Sequence, residues 1–319
     1  MVVAPGDAID LEGLDALAAN RGIGLAVDAP LAPLTTLRVG GAADRLLEAH
    51  SRDELLAALG LAREAQVPWF VLGNGSDLVV ADAGIRGLVI RNRARSVMVD
   101  GQRLDADAGA PMALLVRRCT AAGLAGLEFG TSIPGTLGGA VWANAGAHGR
   151  EMRDVVVAVE AWDPSSGSLV SIDADGCRFA YRESRFKETR EVVIAATLAL
   201  DRGNPDAIAA QVEANQAQRV ATQPLADQNA GSVFRNPPGD HAGRLIDAAG
   251  LKGLRVGTAS VSTLHANFIV TDHGGRAADV RALGDRVRAE VSAQFGIGLT
   301  YEIEFVGDWA GADAGEHGA

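Results

Sequence analysis

The chain has only two cysteines, Cys119 and Cys177, among its 319 residues. They stand in unrelated sequence contexts, so they predict neither a metal cluster nor a disulfide framework, and we expect no metal site. Both are interpreted as buried small hydrophobic residues. Lysine is equally scarce, because Lys187 and Lys252 are the only ones and neither follows a glycine. A phosphate-binding P-loop needs a Gly-Lys pair and is therefore excluded.

Basic residues are also fewer than acidic ones. The chain has 29 Lys and Arg and 40 Asp and Glu, which gives a net charge of −11. This balance argues against a nucleic-acid partner and against adhesion to an anionic membrane. The longest apolar run, 192–200, is far too short to span a bilayer. The first residues lack a basic stretch followed by an apolar core, so they predict no signal peptide. We therefore expect a cytoplasmic protein.

Glycine, in contrast, is abundant, with 39 residues, about 12% of the chain against a typical ~7%. Eight of these glycines fall within 123–149, which has few charges and no regular periodicity. A flexible linker would be polar and rich in serine, so this stretch predicts backbone laid against something buried. The segment Gly73–Asp77 (GNGSD) lacks the third glycine of a dinucleotide fingerprint. It can be a plain turn between strands or an anion-binding nest of backbone N–H groups.

Periodicity and capping signals outline the secondary structure. Ser51 is predicted to cap a helix with acidic residues in its first turn. The region 277–295 predicts a helix whose apolar face carries Val280, Leu283, Val287, Val291 and Phe295. Other helices are expected at 12–21, 111–122, 204–220 and near 242–250. Strands are expected at 155–163, 168–174, 177–182, 191–201 and 300–307, among others.

Eight segments, in order, resemble one family. They are TTLRVGG (35–41), VLGNGSDLVV (71–80), GLEFGTSIPGTLGGAVWANAGAHGREM (126–152), YRESRFK (181–187), QPLADQNAGSVFRNP (223–237), AGRLIDAAGLKG (242–253), VSTLHANFIV (261–270) and FGIGLTYEIEFVG (295–307). Together they are similar to the UDP-N-acetylenolpyruvoylglucosamine reductase family, the UDP-N-acetylmuramate dehydrogenases. The short stretch after YRESRFK is similar to the compact form of the family.

The resemblance implies an α+β fold, with a two-subdomain FAD-binding fold of the vanillyl-alcohol-oxidase type and a C-terminal α/β substrate domain. We place an N-terminal extension with a short helix at 1–30 and the FAD-binding domain at 31–202. Its subdomains are expected at about 31–92 and 93–202. The substrate domain is expected at 203–308, followed by a disordered tail at 309–319.

The implied activity is NADPH-dependent reduction of UDP-N-acetylglucosamine enolpyruvate to UDP-N-acetylmuramate in peptidoglycan synthesis, by a monomer with non-covalent FAD. The chain would be an oxidoreductase acting on a CH–CH bond. Reduced flavin N5 would supply a hydride to the β-carbon of the enolpyruvyl group. Alternatives are another FAD-dependent oxidase or dehydrogenase of the same fold, and a nucleotide-sugar-binding module without turnover.

Three residues match the catalytic positions of the family. Arg182 would hold the substrate carboxylate and stabilise the enolate, because a guanidinium matches a carboxylate in shape and stays charged. Ser232 would donate the proton to the α-carbon. Glu302 would stabilise the enolate together with Arg182. Glu304 is the second choice for this role, because side chains two residues apart on a strand share a face.

The resemblance also implies binding residues. The FAD contacts would come from Arg38, Gly73, Asn74, Gly75, Ser76, Asp77, Ser132, Ile133, Pro134, Gly135, Thr136, Gly138, Gly139, Asn144, Ala145 and Gly146. The substrate contacts would come from Tyr181, Arg219, Arg235, Asn236 and His265. The chain departs from the common pattern at three positions. Asp77 replaces an asparagine, Ser132 a glycine before Ile-Pro-Gly, and His148 a tyrosine.

Overall fold

The computed structural model describes residues 9–310 of the chain. These residues form two compact units. Of the described residues, the first unit draws on the segments 9–26, 46–74 and 87–219, and the second on 27–45, 75–86 and 220–310. The second unit thus takes two segments from the predicted FAD-binding domain. Residues 1–8 of the predicted extension and 311–319 of the predicted tail lie outside the described residues.

The helices and strands follow in chain order. The α-helices are α1 (Leu11–Asn20), α2 (Arg52–Glu64), α3 (Met112–Ala121), α4 (Leu137–Trp142), α5 (Arg185–Thr189), α6 (Pro205–Thr222), α7 (Ala242–Ala248) and α8 (Ala277–Phe295). The strands are β1 (Ala26–Pro30), β2 (Ala42–Ala49), β3 (Trp69–Leu72), β4 (Leu78–Val80), β5 (Ile85–Asn92), β6 (Val97–Asp100), β7 (Arg103–Asp107), β8 (Leu124–Ala125), β9 (Gly146–Ala147), β10 (Arg150–Glu151), β11 (Val156–Asp163), β12 (Ser168–Asp173), β13 (Val192–Ala199), β14 (Asp201–Arg202), β15 (Gln228–Ser232), β16 (Arg255–Val256), β17 (Ala259–Val261), β18 (Phe268–Thr271) and β19 (Glu304–Val306).

The first unit is built on a five-stranded antiparallel sheet in the order β12-β11-β13-β7-β6. Helix α3 and the glycine-rich region pack against it around a core that includes Leu104, Leu115, Phe129 and Leu198. A second core joins α1 and α2 to the parallel pair of β3 and β5. Both cysteines are buried, as predicted.

Helix α2 begins at the predicted cap. The Ser51 hydroxyl accepts a hydrogen bond from the Glu54 N–H at 3.2 Å, and the Glu54 carboxylate accepts one from the His50 N–H at 2.7 Å. The first bond satisfies an N–H group that the first helical turn leaves without a partner, and the second ties the residue before the cap to the same turn. Leu55 and Leu59, one turn apart, are both fully buried. Local signals alone therefore define this helix.

The second unit contains a four-stranded antiparallel sheet in the order β15-β18-β17-β16, and strand β19 pairs in parallel with β4. Helices α7 and α8 cover its core. Val280, Leu283, Val287 and Val291 of α8 are buried, as the spacing predicts. Phe295 is 39% exposed, so its placement on the buried face was wrong. It is the last helical residue, and Gly296 ends the helix with a φ of +68°.

Two strand predictions were wrong, one in kind and one in extent. Residues 177–182 form a turn rather than a strand, because Arg178 and Arg182 have φ values of +48° and +58°. A strand requires negative φ at every position. In the closing segment, β19 covers only Glu304–Val306, while Tyr301 makes an isolated bridge to Phe234. The alternation argument that puts Glu302 and Glu304 on one face therefore does not apply.

The glycine-rich region 123–149 folds into short pieces with close backbone approaches. A 3₁₀ turn, Glu128–Ser132, precedes helix α4, and a hairpin of β9 and β10 follows. A Cβ atom at Gly138 would lie 2.8 Å from the Cβ of Ala108, closer than real Cβ contacts. The predicted packing of this backbone against buried structure is therefore observed. Separately, none of the helices within residues 9–310 has both the length and the apolar character needed to cross a bilayer.

Candidate active site

The turn Gly73–Asp77 joins strand β3 to strand β4, and the chain passes there from the first unit to the second. Gly75 has a φ of +65°, and a Cβ atom on it would lie 2.1 Å from the Leu34 carbonyl oxygen. Its own carbonyl accepts a hydrogen bond from the Thr36 N–H at 2.9 Å. Only glycine fits this position, because both the φ and the contact exclude a side chain.

The segment Ile133–Gly139 presents free backbone N–H groups at the start of α4. Leu137 N–H donates to Ala110 O at 2.9 Å and Gly138 N–H to Ala108 O at 2.8 Å, which fixes the loop. Within the described residues, the N–H groups of Gly135, Thr136 and Gly139 have no protein acceptor. Free N–H groups beside glycines form a cradle for an anion such as a pyrophosphate. This donor set fits FAD.

The side chains of Asn74 and Thr136 lie beside the same loop within the first unit. The Asn74 amide donates to the Pro134 carbonyl at 3.0 Å, which holds the Gly-Asn part of the turn against the Ile-Pro-Gly segment. Gly139 is exposed, and a Cβ atom there would meet only the Thr136 hydroxyl, at 3.9 Å. Space therefore remains above Gly139 for a ligand.

The segment Asn144–Gly146 is tied into the protein. The N–H groups of Asn144 and Ala145 donate to Val141 O and Ala140 O at 3.1 and 2.8 Å. The Asn144 side chain is fully buried and also bonds only to protein groups. Any contact of Asn144 and Ala145 with FAD therefore cannot use these N–H groups.

Arg182 lies in the first unit, at the end of the segment 177–182, which forms a turn in place of the predicted strand. Its φ of +58° is the left-handed conformation that favours glycine. The guanidinium donates to the Gly146 carbonyl at 3.2 Å and lies 5.2 Å from the centre of the Tyr181 ring. Tyr181 itself is 44% exposed. The turn thus places a cation and an aromatic ring side by side.

Ser232 and Glu302 lie in the second unit on neighbouring backbone segments. Ser232 ends β15, and the Glu302 N–H donates to the carbonyl of the next residue, Val233, at 2.8 Å. On the same two segments, the rings of Phe234 and Tyr301 stack with centres 5.0 Å apart. The structure therefore brings these two predicted residues together. Glu304 instead pairs with Leu78 across β19 and β4.

An asparagine that sequence analysis missed supports this pairing. The Asn267 amide donates to the Phe234 carbonyl at 2.8 Å, and its oxygen accepts from the Phe234 N–H at 3.0 Å. Asn267 is 4% exposed. It behaves like an extra strand partner for the segment that follows Ser232. The signal was present in the HANFIV motif, where only His265 was selected.

The predicted substrate residues have varied surroundings. His265 Nδ1 accepts a hydrogen bond from the Asn267 N–H at 3.2 Å. Burial, with a smaller contribution from Lys252, lowers the pKa of His265.

Burial also lowers the pKa of Arg219, whose guanidinium donates to the Thr131 carbonyl at 3.5 Å. Asn236 Oδ1 accepts from the Ala242 N–H at 3.0 Å and so caps α7. Arg235 is half-buried.

Arg38 lies in the second unit beside a cavity. Its guanidinium donates to the Pro33 carbonyl at 2.7 Å, and the cavity of about 580 Å³ is also lined by Gln228 and His273. Arg38 has a φ of +59°. Nine non-glycine residues among those described have positive φ, and four of them are predicted site residues: Arg38, Asp77, Asn144 and Arg182. Backbone strain of this kind concentrates at functional sites.

Comparison with known proteins agrees with this geometry. Residues 43–173 match the family model described as FAD binding domain, and residues 223–306 match that described as UDP-N-acetylenolpyruvoylglucosamine reductase, C-terminal domain. These matches confirm the predicted fold class, an FAD-binding fold with a C-terminal domain. The cofactor expected from the sequence, FAD, is that of the first of these domains.

Curated relatives and a solved structure cover nearly the whole chain. UDP-N-acetylenolpyruvoylglucosamine reductase 2 of Symbiobacterium thermophilum is 44% identical over 281 residues, 87% of this chain and 91% of that protein. The reductase of Moorella thermoacetica is 45% identical, over 88% of this chain and 92% of its own. The crystal structure of UDP-N-acetylenolpyruvylglucosamine reductase from Thermus caldophilus matches with a TM-score of 0.76 at 36% identity, covering 88% of this chain and 99% of that one. The chain therefore belongs to the UDP-N-acetylenolpyruvoylglucosamine reductase family.

Proposed function

We propose that the chain reduces UDP-N-acetylglucosamine enolpyruvate to UDP-N-acetylmuramate for peptidoglycan synthesis, with NADPH as the reductant and FAD as the cofactor. The observation that carries this proposal is the 44–45% identity to such reductases over most of the chain. The FAD-binding match at 43–173 supports the cofactor. When bound, FAD takes two electrons from NADPH and supplies them as a hydride to the β-carbon of the enolpyruvyl group.

Arg182 binds the substrate carboxylate in this proposal. Negative charge moves onto the carboxylate as the β-carbon is reduced, so a fixed cation there stabilises the transition state more than the ground state. The contact with the Gly146 carbonyl and the stacking on Tyr181 support this role, since both hold the guanidinium in one place. A preorganised donor costs little reorganisation during the reaction.

Ser232 donates the proton that completes the reduction. The proton moves from Ser232 Oγ to the α-carbon, and the serine recovers a proton from solvent afterwards. A hydroxyl is a poor acid, so it needs neighbouring polar groups. Glu302, whose N–H is bonded next to Ser232 at Val233 O, is the proposed partner. As a carboxylic acid it would donate a hydrogen bond to the developing enolate and so stabilise it together with Arg182.

The FAD pyrophosphate is held by the free N–H groups of Gly135, Thr136 and Gly139 in this proposal. Glycines let the backbone approach the phosphates closely. Asn144 is set apart, because its amide and its N–H are used within the protein. The other predicted FAD contacts, including Arg38 and the Gly73–Asp77 turn, remain part of the proposal. The substrate is bound by Tyr181, Arg219, Arg235, Asn236 and His265. We further propose that the protein acts as a monomer in the cytoplasm.

The decisive experiment measures NADPH oxidation by the purified protein with and without UDP-N-acetylglucosamine enolpyruvate. We expect a yellow protein whose NADPH consumption depends on this substrate. Substituting Arg182→Ala should lower turnover at least about 100-fold while FAD stays bound. If NADPH reduces the flavin but the substrate does not reoxidise it, the substrate assignment is wrong, and an oxidase or dehydrogenase of the same fold is the better assignment.

A further inference from the structure

Both the NH₂ group and the oxygen of the Asn144 side chain form hydrogen bonds within the protein. Nδ2 donates to the Glu151 carboxylate at 2.6 Å and to the Ala180 carbonyl at 2.8 Å, and Oδ1 accepts from the Arg153 N–H at 2.9 Å. A side-chain amide has two donor hydrogens, and both are used here. Because a carboxylate only accepts, the NH₂ group must face Glu151, which fixes the orientation of the amide. The predicted role in FAD contact therefore cannot involve these donors.

One of the three bonds ends on the turn that carries Arg182. Ala180 and Glu183 exchange two backbone hydrogen bonds of 3.0 Å, which close a turn with Tyr181 and Arg182 at its tip. A positive φ at the second tip residue suits glycine, and any other residue there costs about 1 kcal/mol. The arginine therefore needs support from outside the turn to hold this conformation.

The glycine-rich region supplies that support through three bonds. Besides the Asn144 bond to Ala180 O, the Ser184 hydroxyl donates to the Trp142 carbonyl at 2.6 Å, and Arg182 donates to the Gly146 carbonyl at 3.2 Å. Asn144 and Ser184 are both buried, with 0% and 4% exposure. These bonds connect 142–146 with 180–184 inside the first unit.

We infer that Asn144 is a positioning residue, which holds the turn that presents the Arg182 guanidinium to the substrate carboxylate. This inference rests on the proposed function of Arg182. The side-chain hydrogen bonds of Asn144 are all made within the protein, so they hold the turn before the substrate binds. Its loss should therefore affect the step that needs the substrate carboxylate and spare the reduction of FAD by NADPH.

The test compares Asn144→Ala, Asn144→Asp, Arg182→Ala and the double variant Asn144→Ala with Arg182→Ala in the FAD-loaded enzyme. Asn92→Ala is the matched control, since Asn92 is also buried in the first unit and its Oδ1 accepts from the Ala94 N–H at 3.0 Å. Rapid mixing measures flavin reduction by NADPH and its reoxidation by substrate separately. Thermal unfolding and FAD content are measured alongside.

We expect Asn144→Ala to slow reoxidation by substrate about 10- to 100-fold, the range for a misplaced catalytic group. The rate of flavin reduction by NADPH should change less than about twofold, which is well below a tenfold change in rate. Asn92→Ala should change neither rate. In the double variant the reoxidation rate should equal that of Arg182→Ala alone, since Asn144 acts through that arginine. Asn144→Asp should behave like Asn144→Ala, because a carboxylate repels Glu151 and the Ala180 carbonyl.

The outcomes separate this inference from the proposed function. Normal reoxidation in Arg182→Ala contradicts the role of the arginine, and the inference falls with it. Slow reoxidation in Arg182→Ala with normal rates in Asn144→Ala overturns the inference alone. A double variant slower than Arg182→Ala also overturns it, as does loss of FAD or of folding in both Asn144 variants, because Asn144 then has a general structural role.

Discussion

The Ser132 hydroxyl lies 2.8 Å from Nε2 of His148, in a hydrogen bond that links the end of the 3₁₀ turn to the tip of the β9–β10 hairpin. From the sequence, both positions are expected to depart from the common pattern of the family, as is Asp77. The two departures contact each other. His148 and Gly149 form the hairpin tip with φ values of +54° and +78°, so the bond also supports a left-handed histidine.

We predict that the two replacements are coupled. Ser132→Ala and His148→Ala should each lower the free energy of unfolding by about 1 kcal/mol, and the double variant should lose less than the sum. Denaturant unfolding of the four proteins measures the coupling. Additive losses would show that the bond contributes nothing, and His148→Asn is a control that retains the turn preference.

Replacing Arg182 should separate stability from activity. Arg182→Gly relieves the left-handed strain, whereas Arg182→Ala retains it, and the two lose the same guanidinium contacts. The glycine variant should therefore be more stable than the alanine variant by about 1 kcal/mol, with turnover equally low in both. Thermal unfolding and NADPH oxidation measure the two quantities. Equal stability of the variants would indicate that the turn stores no strain.

Gly139→Ala tests the proposed phosphate cradle. Apart from its chain neighbours and the backbone of its own helix, the new methyl group meets no atom of residues 9–310 closer than 3.9 Å. Alanine favours a helix by up to about 1 kcal/mol, so the FAD-free protein should be at least as stable. FAD affinity should fall at least about tenfold, since the methyl group occupies the space proposed for the pyrophosphate. Gly60→Ala in α2 is the control, because it also has open space. Unchanged affinity in Gly139→Ala would place the cofactor elsewhere.

Asn267→Leu should destabilise the second unit. The change leaves the buried N–H and carbonyl of Phe234 without partners, which costs about 3 kcal/mol in the free energy of unfolding. Gln294→Ala, on the exposed side of α8, should change it by less than about 0.5 kcal/mol. Chemical denaturation followed by intrinsic fluorescence compares the two. A small effect of Asn267→Leu would mean that water replaces the amide.

Both thiols should make stability decrease at alkaline pH. Burial raises the pKa of Cys119 to about 12 from 9.0, with a further contribution from Glu128, and burial raises that of Cys177 to about 11. Above pH 9 the unfolded chain releases thiol protons that the folded chain keeps, so the free energy of unfolding falls as pH rises towards 11. Unfolding at a series of pH values measures the slope. A double Cys→Ala variant should have a shallower slope, and an identical slope would refute the thiol contribution.

The sequence predicted elements whose signals are local. The cap at Ser51 and the buried face of α8 depend on residues within a few turns of one helix, and both are observed. The segment 177–182 was predicted as a strand, yet it forms a turn. The bonds from Asn144 and Ser184 that hold this turn come from residues about 36 to 42 positions away, and no local pattern contains them.

The candidate site was predicted through resemblance more than through residue chemistry. Arg182 and Ser232 are an ordinary arginine and an ordinary serine when considered alone, and only their motifs single them out. The supporting residues were harder to find. The side chain of Asn267 bonds to the backbone of Phe234 as a neighbouring strand would. The Ser132–His148 bond joins two irregular segments. Both contacts depend on a backbone arrangement in three dimensions, which sequence patterns do not specify.

The pairing of β19 with β4 has a consequence for the order of events during synthesis. Its partners, Glu304 and Leu78, are separated by more than two thirds of the chain. On the ribosome, the segments 27–45 and 75–86 therefore emerge long before the residues that complete their unit. Until then their apolar residues, such as Leu37 and Val79, lack their final neighbours. The nascent chain should thus depend on chaperones at this stage, and its folding should be slow because the contacts are so distant in sequence.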